Sequence, residues 1–474
     1  MLFGQAGTGK SSIAHEIAKR FDAMGRLTAS YCFIRGVTSR DPYRLFTTLA
    51  RSLCSICPAF KAALDTIIRE KPDLLAATDY TTLFKSLIVD PLEGLQSVSP
   101  VLIVIDALDE SEETNCSSLH SFLGKHLDQL PSNFRILMTS RRESDIMDSF
   151  PSSSYVRRMF MDDPQFAHPD EVDNDIYTYT WTKLCQANID DKILHQLAQK
   201  AERLFQWAFV ACSYIAKPPP GLEREDCIEK VLHPSGGKES LDALYMTVLE
   251  RFNMDNPDIG NNFRSIMGQV LGVFEPLSIT ALNTIRQCSP DKSSRSNVSS
   301  VVKHMGSLLS NVASDSECPI SPLHTSFRDF LTNPDRSGKF CVNLRAARGQ
   351  LAFATVQTMN ERLHFNMCEL KTSYCLNTEV RDLEERIAKH IPFVLSYSCR
   401  FWANHLAYAE FEANLFGSLQ TFMEEKLLFW LEVLSVRKEV PIASTALMVL
   451  SGWLGQRRDD VSISMTFLLD STIQ

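Results

Sequence analysis

The sequence predicts an α/β nucleotide-binding domain with a parallel sheet, followed by a long and mainly helical remainder. Three observations predict it. The run Gly4-Gln5-Ala6-Gly7-Thr8-Gly9-Lys10-Ser11 satisfies G-x-x-x-x-G-K-[ST]. The apolar run Val101–Ile105 ends in Asp106. As far as about residue 150, short apolar runs alternate with helical periodicity, the pattern of a parallel sheet covered by helices.

Strands are predicted at Leu2-Phe3, Ser30–Ile34, Val101–Ile105 and Arg135–Thr139. Between them Ile13, Ile17 and Phe21 recur at helical spacing, as do Tyr43, Phe46, Leu49 and Leu53. Beyond residue 150 the strand signals fade. Residues 175–255 read as helices broken at Pro218-Pro219-Pro220, and a further helical segment covers roughly 256–310. Within it Ser289–Ser300 reads as a loop and Val301–Leu309 as a helix. From about 345 the chain is helical again, with Phe401, Trp402, Phe429 and Trp430 spaced as core positions.

The glycine run is a phosphate cradle. Glycines let the backbone curl so that successive N–H groups point inward, and the helix that follows adds its positive end. Lys10 is placed for the β- and γ-phosphates and Ser11 for Mg²⁺, with Ser12 following. Asp106, delivered to the C-terminal edge of the sheet by a buried strand, is the second Mg²⁺ residue. Asp109 and Glu110 come just after it, placed to orient or deprotonate an attacking water; the alternative is acids capping a loop before a helix. Thr139-Ser140-Arg141-Arg142 ends the next strand, where Arg141 suits a γ-phosphate sensor; the alternative is pairing with surface acids. No Asn-Lys-x-Asp segment is present, which favours adenine over guanine.

Composition excludes several classes. With 474 residues the chain exceeds one core, and 44% hydrophobic with 22% charged residues is ordinary for globular protein. A net charge of −9 gives no footprint for nucleic acid. No apolar run approaches the eighteen or so residues that cross a bilayer, and no secretory signal opens the chain, so a cytoplasmic location is expected. Thirteen scattered cysteines read as reduced thiols. The pair Cys54 and Cys57, at the end of an apolar helix, reads as core rather than as half a zinc site. In that compartment the sequons at Asn115 and Asn297 carry little meaning.

The ordered elements Gly4–Ser12, Ile105–Glu110 and Thr139–Arg142 resemble the NACHT family of signalling P-loop ATPases, in its fungal branch. The resemblance continues through Asp41–Phe46, Leu204–Ala208, Leu241–Tyr245, Glu275–Ser278, Leu323–Leu331 and Tyr397–Ala403. It implies a nucleotide-binding domain at 1–150, a small helical lid at 151–255, a winged-helix domain at 256–345 and a C-terminal helical domain at 346–474. It also implies an ATP/ADP switch with Mg²⁺, slow hydrolysis by Asp109 and Glu110, homo-oligomerisation, and an upstream ligand and downstream effector. In such proteins a winged-helix histidine meets the β-phosphate of ADP, and His324 matches that position. The other reading of His324 is an ordinary half-buried histidine.

Two departures accompany the resemblance. Arg203 stands where the family has glycine. Only three residues precede Gly4, so the strand holding the cradle is expected to be a stub inside the sheet, and the chain reads as a fragment or a gene model that starts late. Two other function classes remain open at this point: a non-catalytic interaction or decoy fragment, and a P-loop kinase, which the absence of an arginine-rich lid disfavours.

Overall fold

The computed structural model describes residues 1–34, 42–72, 74, 79–93, 101–111, 116–187, 189–219, 221–234, 241–289, 295–312, 317–372 and 374–455. Asp41, Asn115 and Pro220 of the sequence reading lie outside the described residues. The chain divides into two units, one made of Met1–Thr247 with His324–Ser326, the other of Val248–Leu323 with Phe327 onward.

The first unit is built on a five-stranded parallel sheet. Its strands are β1 (Leu2–Phe3), β2 (Leu27–Cys32), β3 (Val101–Asp106), β4 (Phe134–Ser140) and β5 (Met159–Phe160), in the order β2-β3-β4-β1-β5. Alternation along β3 sets the two layers. Leu102 and Val104 pack with Ala14 and Ala18 of α1 (Lys10–Ala23). Val101, Ile103 and Ile105 face a larger core with Leu45, Phe46, Phe84 and Phe122. Both faces are covered, which explains why β3 reads as one continuous apolar run. Cys54 and Cys57 are free thiols packed against that larger core.

Two boundaries differ from the sequence reading. β2 runs Leu27–Cys32 rather than Ser30–Ile34, because its register places Cys32 opposite Asp106, where β3 stops. Phe33 N–H adds one last bond to Asp106 O at 3.0 Å. β5 was not legible, since two residues carry no periodicity; it exists because β1 needs a partner on its second edge. Met159 N–H donates to Met1 O and Met161 N–H to Phe3 O, at 2.9 and 2.8 Å, while Gly4 N–H reaches Ser140 O at 3.3 Å. The cradle strand is thus a stub of two residues, yet an interior one, with Phe3 fully buried and stacked on Phe160. Helices Pro169–Leu184, Asp191–Lys200, Phe205–Ala216 and Arg224–Leu232, with the helix Leu241–Leu249 as far as Thr247, complete the unit with the rest of its α-layer.

The second unit is helical. Pro257–Gly272 and Ile279–Gln287 form as expected, but the helix predicted at Val301–Leu309 is only Ser299–Val302. The chain turns there around Gly306, and Leu309 instead forms an antiparallel bridge with Pro322. Leu344–Arg362 packs along Phe393–Leu406, and Trp402 and Trp430 meet edge to face with ring centres 5.8 Å apart in the core. Phe401 is buried elsewhere, its ring against those of Phe274 and Tyr397, and Phe429 is partly buried against the tryptophan core. No helix among the described residues is long and apolar enough to cross a membrane.

Candidate functional site

The site forms where β1, β3 and β4 end together. The loop 4–9 leaves β1 and enters α1 through Gly9, whose φ of 92° is left-handed, as is the 85° of Gly7. α1 carries no acidic residue in its first turn and no side-chain cap, so its leading N–H groups remain available to an anion. Lys10 Nζ donates to Gly4 O and Gln5 O, both at 2.8 Å, which closes the loop on its own lysine. Thr8 Oγ1 donates to Gln5 O at 2.9 Å and tightens the same curl. Burial pushes the Lys10 ammonium below its ordinary value; Asp109 opposes this, Arg141 adds to it, and Asp106 and Glu110 oppose it further.

Asp106 is buried at the end of β3. Thr139 Oγ1 donates to its Oδ1 and accepts from Ala107 N–H at 2.9 Å, so one threonine fixes both the carboxylate and the turn after it. The turn passes through Ala107 at φ 57°. Asp109 follows on a single helical turn, buried, and Arg141 N–H donates to its Oδ1 at 2.9 Å while Arg141 Nε lies 3.0 Å from Oδ2. Arg141 Nη2 also donates to Thr325 Oγ1 at 3.2 Å. Arg142 goes elsewhere: it pairs with Asp162 and lies over the Phe160 ring. The two adjacent arginines are thereby separated in role.

His324 reaches this unit with Thr325 and Ser326. Its Nδ1 accepts from Ser326 N–H at 3.1 Å and lies 2.6 Å from Ser326 Oγ, which in turn is 2.7 Å from the Tyr245 hydroxyl. An accepting Nδ1 puts the ring proton on Nε2.

A cleft of about 430 Å³ gathers these parts. Gly7, Gly9, Lys10, Ser11, Ser12, Asp109, Glu110, Arg141 and His324 line it, together with Ala6. Of the remaining sequence-selected positions, Gly4, Gln5 and Thr8 shape the loop without lining the cleft, and Asp106 sits behind Ala107 and Thr139, which do line it. Sequence reasoning gave no role to Tyr179, Phe205, Gln206, Phe209, Thr139 or Thr325, which also line it. The Leu204–Ala208 segment was legible as a motif but not as a wall of the site. Gln206 N–H donates to Gly7 O at 3.2 Å, so the loop supplies a partner to the uncapped start of the helix Phe205–Ala216. A Cβ on Gly7 would lie 2.7 Å from Gln206 Cβ, and one on Gly9 3.6 Å from the Phe205 ring.

A buried His120 supports the acidic loop from behind. Its Nδ1 is 2.9 Å from Asp145 Oδ2 and its Nε2 3.0 Å from Ser111 Oγ. Ser111 and His120 are nearly solvent-free and line no part of the cleft, so the trio braces the loop rather than acting as a nucleophile. The Arg203 departure has a backbone cost: Glu202 and Arg203 both adopt left-handed φ, 46° and 64°, a region that favours glycine.

The family model described as Nephrocystin 3, N-terminal, matches residues 1–141. The chain is also 22% identical over 405 residues to the vegetative incompatibility protein HET-E-1 of Podospora anserina. That match covers 79% of this chain and 28% of the relative, so the chain spans little more than a quarter of the protein it matches.

Proposed function

We propose that this chain, a fungal NACHT-domain protein by those matches, is a nucleotide-dependent signalling switch that binds ATP and ADP. The observation that carries the reading is the single cleft in which the glycine loop, Lys10, Asp109, Glu110, Arg141 and His324 converge. Its volume suits a nucleotide. The open start of α1 and the inward loop suit phosphates, and Tyr179, Phe205 and Phe209 offer flat apolar surface to a purine. The donor set also fits Mg²⁺, which Ser11 and Asp106 would hold and which would neutralise phosphate charge.

Each residue then has a task. Lys10 exchanges the Gly4 and Gln5 carbonyls for phosphate oxygens. Arg141 and the Nε2–H of His324 meet the distal phosphates, and their contacts differ between ADP and ATP; that difference in affinity is what shifts a two-state equilibrium. Glu110 and Asp109 orient water, and the engagement of Asp109 by Arg141 supports slow hydrolysis. We assign 151–255 to a helical lid, 256–345 to a winged-helix domain and 346–474 to a C-terminal helical domain. The helices Pro257–Gly272, Ile279–Gln287 and Ser299–Val302, followed by the Leu309–Pro322 bridge, support the winged-helix assignment. Homo-oligomerisation in the ATP state, with an upstream ligand and a downstream effector, completes the proposal.

Thermal melting with and without Mg-ADP tests it. A ligand at one hundred times its Kd stabilises by about 2.7 kcal/mol. The midpoint should rise for the native chain and not for Lys10→Ala. No rise in the native chain would leave an interaction or decoy fragment, and rapid phosphate transfer to a small acceptor would instead identify a kinase.

A further inference from the structure

Strand parity places three metal-binding side chains on one face of the sheet. Along β3, Leu102 and Val104 face α1, and Asp106 continues that alternation. Along β2, Ala29, Tyr31 and Phe33 belong to the opposite core, which leaves Cys32 on the α1 side. On α1, His15 follows Ala14, which packs on β3. Asp106 uses Oδ1 to accept from Thr139, and its Oδ2 lies 3.6 Å from Cys32 Sγ and 4.0 Å from His15 Nε2. All three donor atoms lie within 4.8 Å of one another.

We propose that His15, Cys32 and Asp106 form a binding site for Zn²⁺. A tetrahedral zinc with bonds of about 2.0–2.3 Å holds its ligand atoms roughly 3.3–3.7 Å apart. The present separations need only a small closing motion. The His15 side chain, 65% exposed on the helix surface, can supply it, and the same exposure opens a path for the ion. One imidazole, one thiolate and one carboxylate with water in the fourth position is an N, S, O set that zinc accepts. Mg²⁺ prefers six oxygens and is not served by the thiol or the imidazole. On binding, the Cys32 thiol forms the Zn–S bond and releases its proton to solvent.

The site has a regulatory consequence, which rests on the nucleotide reading. Zinc takes the carboxylate that the Mg²⁺-nucleotide complex requires, so the two are mutually exclusive. Zinc binding itself does not depend on that reading.

The test uses the full chain without nucleotide, titrated with Zn²⁺ against a chromophoric chelator and, separately, with Co²⁺. The native chain should bind one equivalent through this site, and the cobalt form should show tetrahedral bands with thiolate-to-metal charge transfer. Cys32→Ser should abolish the charge transfer and weaken zinc, and His15→Ala should weaken it by more than the roughly tenfold that loss of an outer-shell partner alone costs. His15→Ala alters an exposed side chain, so its arm reads out even if Cys32→Ser folds poorly. Unchanged zinc affinity and an unchanged cobalt spectrum in His15→Ala would overturn the site, as would failure of the native chain to bind an equivalent. Saturating Mg-ADP should raise the zinc midpoint. A chain that binds zinc but is indifferent to Mg-ADP overturns the exclusion while leaving the site in place.

Discussion

Asp109 holds Arg141 at two points, accepting its backbone N–H at 2.9 Å on one oxygen and facing its Nε at 3.0 Å with the other. The carboxylate is 3% exposed and the guanidinium 24%, so the pair is shielded from solvent on the acidic side. A residue suited to activate water and one suited to read phosphate therefore neutralise each other in this state.

Asp109→Asn breaks the charge pair with Arg141. Removing one partner of a well-buried pair costs up to about 5 kcal/mol, and the partly exposed arginine reduces this to about 2 kcal/mol. Denaturant titration should find that loss. Hydrolysis should fall about 100-fold or more if Asp109 orients water. An unchanged turnover would remove Asp109 from the catalytic role.

Gly7 is constrained twice, by its φ of 85° and by the 2.7 Å approach of Gln206 to a Cβ placed there. Gly7→Ala should therefore lose nucleotide binding and destabilise the first unit by more than the roughly 1 kcal/mol of strain alone. Gly25 provides the contrast, with a φ of 64° and nothing within 4 Å. Gly25→Ala should cost only that strain. Because the atom approached is Gln206 Cβ, adding Gln206→Gly to Gly7→Ala should recover part of the loss in melting temperature relative to Gln206→Gly alone; no recovery would mean that the approach is not the cause.

His324→Ala should weaken ADP more than ATP, because the proposed contact is with the β-phosphate in the resting state. Tyr245→Phe should weaken ADP less, since it acts through Ser326 on the orientation of the ring. Equal losses for both nucleotides in His324→Ala would contradict a state-specific role.

The second unit should be acid-labile through His405. Burial pushes its imidazole down to about 3, and the Tyr397 hydroxyl lies 2.7 Å from Nε2 while itself accepting from Phe274 N–H. The unfolded chain takes up a proton near pH 6.5 that the folded chain refuses. Stability from this group is thus complete above about 6.5 and falls as pH drops toward 3, by about 3 kcal/mol at roughly pH 4. His405→Gln should flatten that limb in pH-dependent denaturation. An identical acid slope in the variant would locate the lability elsewhere.

Glu275 and Arg400 were legible only as members of two separate motifs. The structure joins them through a bidentate pair, with Arg400 Nη1 and Nη2 at 2.8 and 2.6 Å from the two carboxylate oxygens. Glu275→Gln should lower the stability of the second unit by about 2 kcal/mol, and pairing it with Arg400→Met should be less than additive.

Local chemistry made much of the first unit readable. Gly7 and Gly9 announce positive φ, Val101–Ile105 announces a strand buried on both faces, and Lys10 with Ser11 announces phosphate. β5 was unreadable because two residues hold no period, and its existence depends on the free edge of β1. The short helix at Ser299–Val302 was misjudged for a similar reason: apolar residues through Leu309 fit a helix, but a bridge to Pro322 competes for that backbone.

The sequence by itself determined the cradle, the acid at the end of β3 and the parallel sheet, since each follows from neighbouring residues and their spacing. Only the tertiary structure decided what surrounds them. It set Arg141 against Asp109, sent Arg142 to Asp162, laid Gln206 across Gly7 and turned Cys32 and His15 toward Asp106. Those outcomes depend on strand register and on which helix covers which face, and no local run of residues encodes either.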